Sequence, residues 1–446
     1  MTADFGWGRI ARLGLVQAAL GAVVVLTTST LNRVMVVELA LPALLPGLLV
    51  ALHYAVQLAR PRMGFGSDMG ARRTPWIVGG MAVLATGGWL AAVAVAWMTT
   101  SPAAGIALAM LAFVMVGLGV SAAGTSLLVL LAKRVPETRR AGAATLVWIM
   151  MIVGFAVTAG FAGKLLDPFS PMRLVAVSGG VSLLAMLLTL VAVRGVEGHA
   201  RSAVPVPQAE PIGFREALAQ VWNEPVARRF TVFVFVSMLA FSAQDLILEP
   251  FAGTVYGFSP GQSTQLSGVQ NGGVLAGMLL VAAAGAAAAR WPSNALARSA
   301  GSLRGWAIGG CLASAVALGL LAMAGLHAGD WPLSANVFAL GVANGAFSIG
   351  AIGSMMRLAG EGRQAREGVR MGLWGAAQAI AFALGGIVGT GTSDLARAFI
   401  AEAGSAYALV FALQAAAFLA SAWLATRIAA PVRRPPFHPQ TLEATP

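Results

Sequence analysis

The chain has 446 residues and a formal net charge of +12, yet only 10% of it is charged against 58% hydrophobic, and its mean hydropathy is +0.79. A soluble domain carries about a quarter of its residues as charged side chains, so these values exclude one and make the chain an integral membrane protein. The basic residues lie between apolar runs instead of forming one patch, which speaks against a nucleic-acid partner, and the single Cys311 excludes an intramolecular disulfide or a cysteine metal cluster.

Apolar runs bounded by charges predict helices over 13–31, 41–59, 75–98, 103–132, 141–165, 173–193, 230–250, 266–289, 306–326, 333–356, 371–390 and 406–428. Such runs are long enough to cross a bilayer, and their unbroken character excludes an outer-membrane barrel. Arg9 and Arg12 precede the first run and no small-residue cleavage site follows, so it reads as a retained helix. With both termini cytoplasmic, all but four of the 29 lysines and arginines lie inside; Arg33, Lys164, Arg173 and Arg397 lie outside.

Between the sixth and seventh runs, 195–229 is polar, carries Pro205, Pro207 and Pro211, and ends in FREALAQVW, a candidate interfacial helix. The expected organisation is therefore a six-helix half over 1–194, a cytoplasmic linker over 195–229, a second six-helix half over 230–430 and a disordered tail over 431–446. This is the plan of an all-α integral membrane protein of the major facilitator fold, with twelve transmembrane helices in two halves.

In the second helix, His53, Gln57 and Arg60 share one face. His53 stands about 10 Å from Arg60 along the axis, in the cytoplasmic half. An imidazole there hydrogen-bonds a neighbouring helix, shuttles a proton or ligates a metal, and residue type leaves these open. The following loop, Gly64 to Arg73, resembles the major facilitator motif of a glycine, an acid and two bases; Asp68, Arg72 and Arg73 carry it, with Met69 where a base is usual. On the seventh helix Gln244 precedes Asp245 and Glu249, which share a face about 22 Å or more from Phe230. Arg33, just past the first helix, is expected to pair with Asp245 or Glu249 as a closed outer gate, with Glu38 nearby. Glycine pairs at helical spacing, Gly117/Ser121, Gly268/Gly272, Gly273/Gly277, Gly341/Gly345 and Gly385/Gly389, read as packing faces. Paired carboxylates of the DxxxD type and a serine–histidine–acid set are absent, and no acid is expected at mid-membrane.

The run LNRVMVVELALPALLPGLLVALHY followed by GFGSDMGARRTPWIVGGM, and later QDLILEPFAGTVYGFSPGQSTQLSGVQNGGVLAGM, resemble the PucC/LhaA family of phototrophic bacteria across both halves. The resemblance implies a non-enzymatic assembly factor for a light-harvesting complex in the bacterial inner membrane, delivering bacteriochlorophyll or assisting insertion of antenna polypeptides beside the pigment-biosynthesis and insertion machinery. It implies that His53 offers a ring nitrogen to the pigment magnesium and that Asn32, Gln57, Gln270 and Asn271 bond peripheral carbonyls. A secondary transporter of a small solute or porphyrin, and a bacteriochlorophyll-biosynthesis enzyme or accessory subunit, remain as alternatives.

Overall fold

The computed structural model describes residues 5–59, 72–135, 137–197, 219, 222–291, 293–327, 329, 331–360 and 367–428. Asp68 with most of its loop, the linker segment FREALAQVW apart from Ala219 and Trp222, and the tail lie outside the described residues. Twelve helices form the bundle: α1 (Trp7–Glu38), α2 (Leu44–Val56), α3 (Thr74–Met98), α4 (Pro102–Arg134), α5 (Glu137–Leu166), α6 (Pro171–Val193), α7 (Pro225–Tyr256), α8 (Pro260–Arg290), α9 (Leu303–Leu326), α10 (Leu333–Gly360), α11 (Glu367–Phe399) and α12 (Ala403–Thr426). No strand occurs among the described residues, and a short helix, Ala295–Ala300, joins α8 to α9.

Among the described residues, eleven helices are long and apolar enough to cross a membrane; α2, with 13 residues and about 20 Å of rise, is shorter. Five of them, α3, α4, α6, α7 and α8, open with a proline in the first turn, where its missing N–H leaves nothing unpaired. Ser259 and Gln262 close a capping box on α8. The largest apolar cluster draws only on residues 227–425 and the next only on 5–196, so each group of six helices has its own core.

Helix ends depart from the sequence expectation where a polar residue or proline looked like a stop. α1 continues past Leu31 to Glu38 through two π-helical segments, Leu26–Thr30 and Val34–Glu38. Thr27 and Thr28 donate to the carbonyls of Val23 and Val24 ahead of the first, competing with the backbone ladder there. The second is wide enough to bring Arg33 and Glu38, five residues apart, together. α7 runs past Pro250 to Tyr256 and ends on Gly257, whose φ of +67° permits the left-handed turn that lets the Phe258 N–H donate to the Ala252 carbonyl.

The glycine pairs are packing faces within the chain. A Cβ on Gly341 or Gly345 would stand 2.1 Å from the carbonyls of Gln270 and Val274, and one on Gly277 would stand 2.1 Å from that of Val342, so α8 and α10 touch backbone to backbone. Gly385 and Gly389 seat α11 on α7, Gly117 seats α4 on α2, and Gly268 faces Gly160 across the two halves; Gly272 alone meets nothing.

Candidate functional site

Polar ties between the two groups of helices collect at the end of the bundle marked by Glu38. Pro250 has no N–H, which leaves the Leu246 carbonyl without its partner inside α7. The Asn32 amide, fully buried on α1, donates to that carbonyl at 2.7 Å. Thr30 and Thr264 share a hydrogen bond of 2.9 Å, and Ser259 donates to Asp167 at 2.7 Å. The Asp394 carboxylate on α11 accepts from the Ala43 and Leu44 N–H groups, capping α2 from the opposite half. Arg33, 2% exposed, donates to Glu38 at 2.5 Å and to the Phe258 carbonyl at 2.5 Å; this is the one ion pair within 4 Å among the described residues.

At the other end the ties among the described residues stay within a half. Arg12 reaches the Val191 and Arg194 carbonyls, Arg229 reaches Arg427, and Arg304 reaches Thr426. The α5–α8 contact runs from Gly163 against Gly261 to Ile152 against Met278. Beyond it, Ala282, Ala283, Gly285, Ala286 and Ala289 of α8 are exposed around the helix. Among the described residues, the polar ties that close the bundle across its two halves thus lie at the Glu38 end.

Glu197, unforeseen in the sequence, organises the end of the first half opposite Glu38. Its carboxylate accepts from the N–H of Arg73 at 2.6 Å and from the N–H and hydroxyl of Thr74 at 2.9 and 2.7 Å, satisfying the start of α3, while Arg134 donates to its backbone carbonyl. Burial pushes this carboxyl up, but the donors on Arg73 and Thr74 and the Arg134 charge together outweigh it and hold it below the usual range. A depressed folded pKa adds stability that is complete above the unfolded value of about 4.3 and is lost as pH falls through the folded one. Glu197→Gln should therefore cost about 0.5–2 kcal/mol at pH 7. In thermal unfolding of the detergent-solubilised protein its deficit should shrink towards zero as pH drops below 4.

The predicted residues fall into three groups. His53, 1% exposed, faces inward, and its Nε2 lies 2.7 Å from the Gln57 amide nitrogen, which donates to it; Tyr54 packs edge-on against the imidazole at 4.9 Å. Rings continue from Tyr54 to Phe382 at 5.2 Å and on to Phe241 at 6.0 Å, crossing from α2 to α11 and α7, each partly exposed. Asn32, Gln270 and Asn271 are engaged within the protein: Gln270 donates to Asp245 at 3.3 Å and Asn271 to the Ser267 carbonyl.

The outer-gate expectation is corrected in its partner, since Arg33 sits inside α1 and binds Glu38, and neither Asp245 nor Glu249 forms its ion pair. Both acids lie inside a helix and not in the loop that follows it. α7 extends beyond both acids, Glu249 is 1% exposed and Asp245 partly buried. Arg73 is buried, Arg72 exposed, and neither amide atom of Gln244 has a hydrogen-bond partner. A cleft of about 440 Å³ on the outside of α3 and α4, lined by Trp76, Gly79, Gly80 and Val83, includes none of these residues.

Asp167, Asp394 and Glu197 escaped the sequence reading because each lies at a helix end, where an acid reads as an ordinary solvated residue. A signal existed for Asp394, an acid in a TGTSD run with no base within two residues on either side.

Residues 30–432 match the protein family described as PUCC protein. The chain is 52% identical over 425 residues to the Rhodobacter capsulatus protein named bacteriochlorophyll synthase 44.5 kDa chain, covering 95% of this chain and 96% of that one. It is 30% identical over 433 residues to Protein PucC of the same species, covering 91% and 89%. Among solved structures it resembles an inward-facing, unoccupied bacterial homologue of the human lysosomal transporter Spinster, with a TM-score of 0.63, 15% identity and 96% of each chain covered. It also resembles a bacterial homologue of the human drug peptide transporters, with a TM-score of 0.67, 13% identity and 94% and 97% covered. At these identities the structures establish the fold alone, one of major facilitator type.

Proposed function

Because the chain belongs to the PUCC protein family, we propose that this multi-pass membrane protein is a non-enzymatic assembly factor for a bacterial light-harvesting complex, handling bacteriochlorophyll and assisting insertion of antenna polypeptides. The observation that carries the pigment part is the row of rings from His53 through Tyr54 and Phe382 to Phe241, which crosses between the halves. A flat apolar macrocycle is recognised by aromatic faces with few polar groups beside them. The row supplies those faces, and His53 and Gln57 supply the polar ones. His53 reaches a pigment magnesium only when Gln57 releases its Nε2, so the rings carry binding in the state seen here and the imidazole acts after a side-chain rotation.

Purification from a phototrophic host, with the absorption spectrum read on the pure protein, tests this. Wild type is expected to retain bacteriochlorophyll; a Tyr54→Ala, Phe382→Ala double variant should lose at least tenfold of it, and His53→Leu a smaller share. A colourless wild-type protein, with antenna bands unchanged in a deletion strain, would defeat the reading.

A second reading, a carrier of a small solute or porphyrin, is favoured by the gathering of the described cross-half ties at one end, an arrangement that alternating access uses. Solute exchange by a colourless protein in liposomes would select it. A synthase, as one relative is named, has less support: among the described residues no three His, Cys, Asp or Glu side chains gather.

A further inference from the structure

The closed end contains more acid than base. Ser267 donates to one oxygen of Glu249, while the other, equally buried, accepts no hydrogen bond among the described residues, the nearby Ser263 hydroxyl being given to the Pro260 carbonyl. One turn further along α7, Gly253 leaves room for the Arg33 guanidinium to lie on the helix backbone; a Cβ there would stand 2.9–3.1 Å from its Nη2, Nε and Cζ. Arg33 directs Nη1 to Glu38 and Nη2 to the Phe258 carbonyl, which leaves its buried Nε–H without an acceptor. An unpartnered donor beside position 253 and an unpartnered acceptor at position 249 therefore lie at neighbouring positions on the same face of α7.

Among the described residues the surroundings provide no other counter-charge. α8 presents Ser263 and Ser267 to Glu249 and Gln270 to Asp245; α1 presents Arg33 and, through it, Glu38. Asp394 and Arg397 of α11, with Thr254, lie around Tyr407 of α12 instead. Asp394 is moreover occupied by the N-terminus of α2.

We propose that Glu249 is a proton-binding site whose occupancy decides whether Arg33 is held by Glu38 or by Glu249, so that the closed end is a proton-operated gate. An ionised carboxylate buried without its own cation is costly by several kcal/mol. While Arg33 stays on Glu38, Glu249 therefore keeps a proton taken from water, in an ordinary carboxyl O–H bond. Loss of that proton to water leaves a carboxylate that draws Arg33 across the Gly253 gap and fastens α1 to α7 by an ion pair. Proton uptake returns Arg33 to Glu38, leaving the Asn32 and Phe258 hydrogen bonds as the direct ties of α1 to this part of α7 and its following turn. Uptake loosens the gate and release tightens it. This property is independent of the assembly role and holds for a carrier equally.

The test uses the full chain in proteoliposomes with spin labels at Thr100→Cys and Ala401→Cys, both exposed at the closed end; the native Cys311 is buried. Electron–electron distance measurements should show a longer-distance population growing between pH 8 and pH 5. In Glu249→Gln that population should be present at both pH values, with its pH response reduced at least fivefold. A wild type indifferent to pH, or a Glu249→Gln variant responding as wild type does, would overturn the proposal. If Glu249→Gln does not fold, infrared spectra of wild type with ¹³C-labelled glutamate decide at pH 6, where exposed glutamates are ionised. A label-sensitive carboxylic-acid band supports the proton site, and its absence refutes it.

Discussion

Gly341→Leu should be strongly destabilising and lower the recovery of folded protein. A Cβ at Gly341 would stand 2.1 Å from the Gln270 carbonyl oxygen and 3.0 Å from the Gly273 Cα. These are backbone atoms and have no rotamer to yield, so α8 and α10 would have to separate along the whole glycine contact. Gly273, Gly277 and Gly345 close the same seam, and each would lose its neighbour. The expected cost is at the top of the overpacking range, about 3 kcal/mol or more, against a total stability of about 5–15 kcal/mol. Fluorescence-detected size exclusion of a tagged protein measures it. Gly309→Leu is the control: nothing lies within 4 Å of its would-be Cβ, and the peak should match wild type. Equal loss in both variants would mean that leucine at any helix glycine is harmful and that close approach is not the cause.

Arg33→Leu should cost about 3 kcal/mol, near the lower bound for breaking a buried ion pair. The guanidinium is 2% exposed but Glu38 is 35% exposed, so the abandoned carboxylate turns partly to water and limits the loss. The Phe258 carbonyl, also left without this donor, adds its own penalty. Adding Glu38→Leu should restore at least about 1 kcal/mol, because two leucines in place of the pair bury no unpaired charge. Thermal unfolding of the two single variants and the double variant reads this coupling. Additive losses would show that Arg33 acts on Glu249 and Phe258 alone.

The topology was legible because it rests on quantities that a single sequence carries, the length of apolar runs and the placement of arginines between them. The packing glycines were legible for a similar reason: four-residue spacing puts them on one helix face whatever helix lies opposite. Helix ends failed where the missing partner came from elsewhere in the fold. Pro250 read as a stop because its cost is local, while the Asn32 amide that offsets it is more than 200 residues away. Arg33 read as an outer-loop residue because a guanidinium within a span looks prohibitive until Glu38 and Gly253 are seen around it. Within the candidate site the residues were found and their pairings were not, since pairing depends on which helices meet. Gln57 with His53, one turn apart on one helix, was the pair that spacing alone brought together.

The Leu246 carbonyl has a consequence for how the molecule can open. Its partner belongs to the opposite half, so separating the halves strips an acceptor in a region where lipid offers no hydrogen. A dry parting would leave that oxygen bare at a penalty of about 1–3 kcal/mol, which a single entering water removes. Opening and wetting should thus be one event, and a cargo that crosses here must travel with solvent or bring a donor of its own.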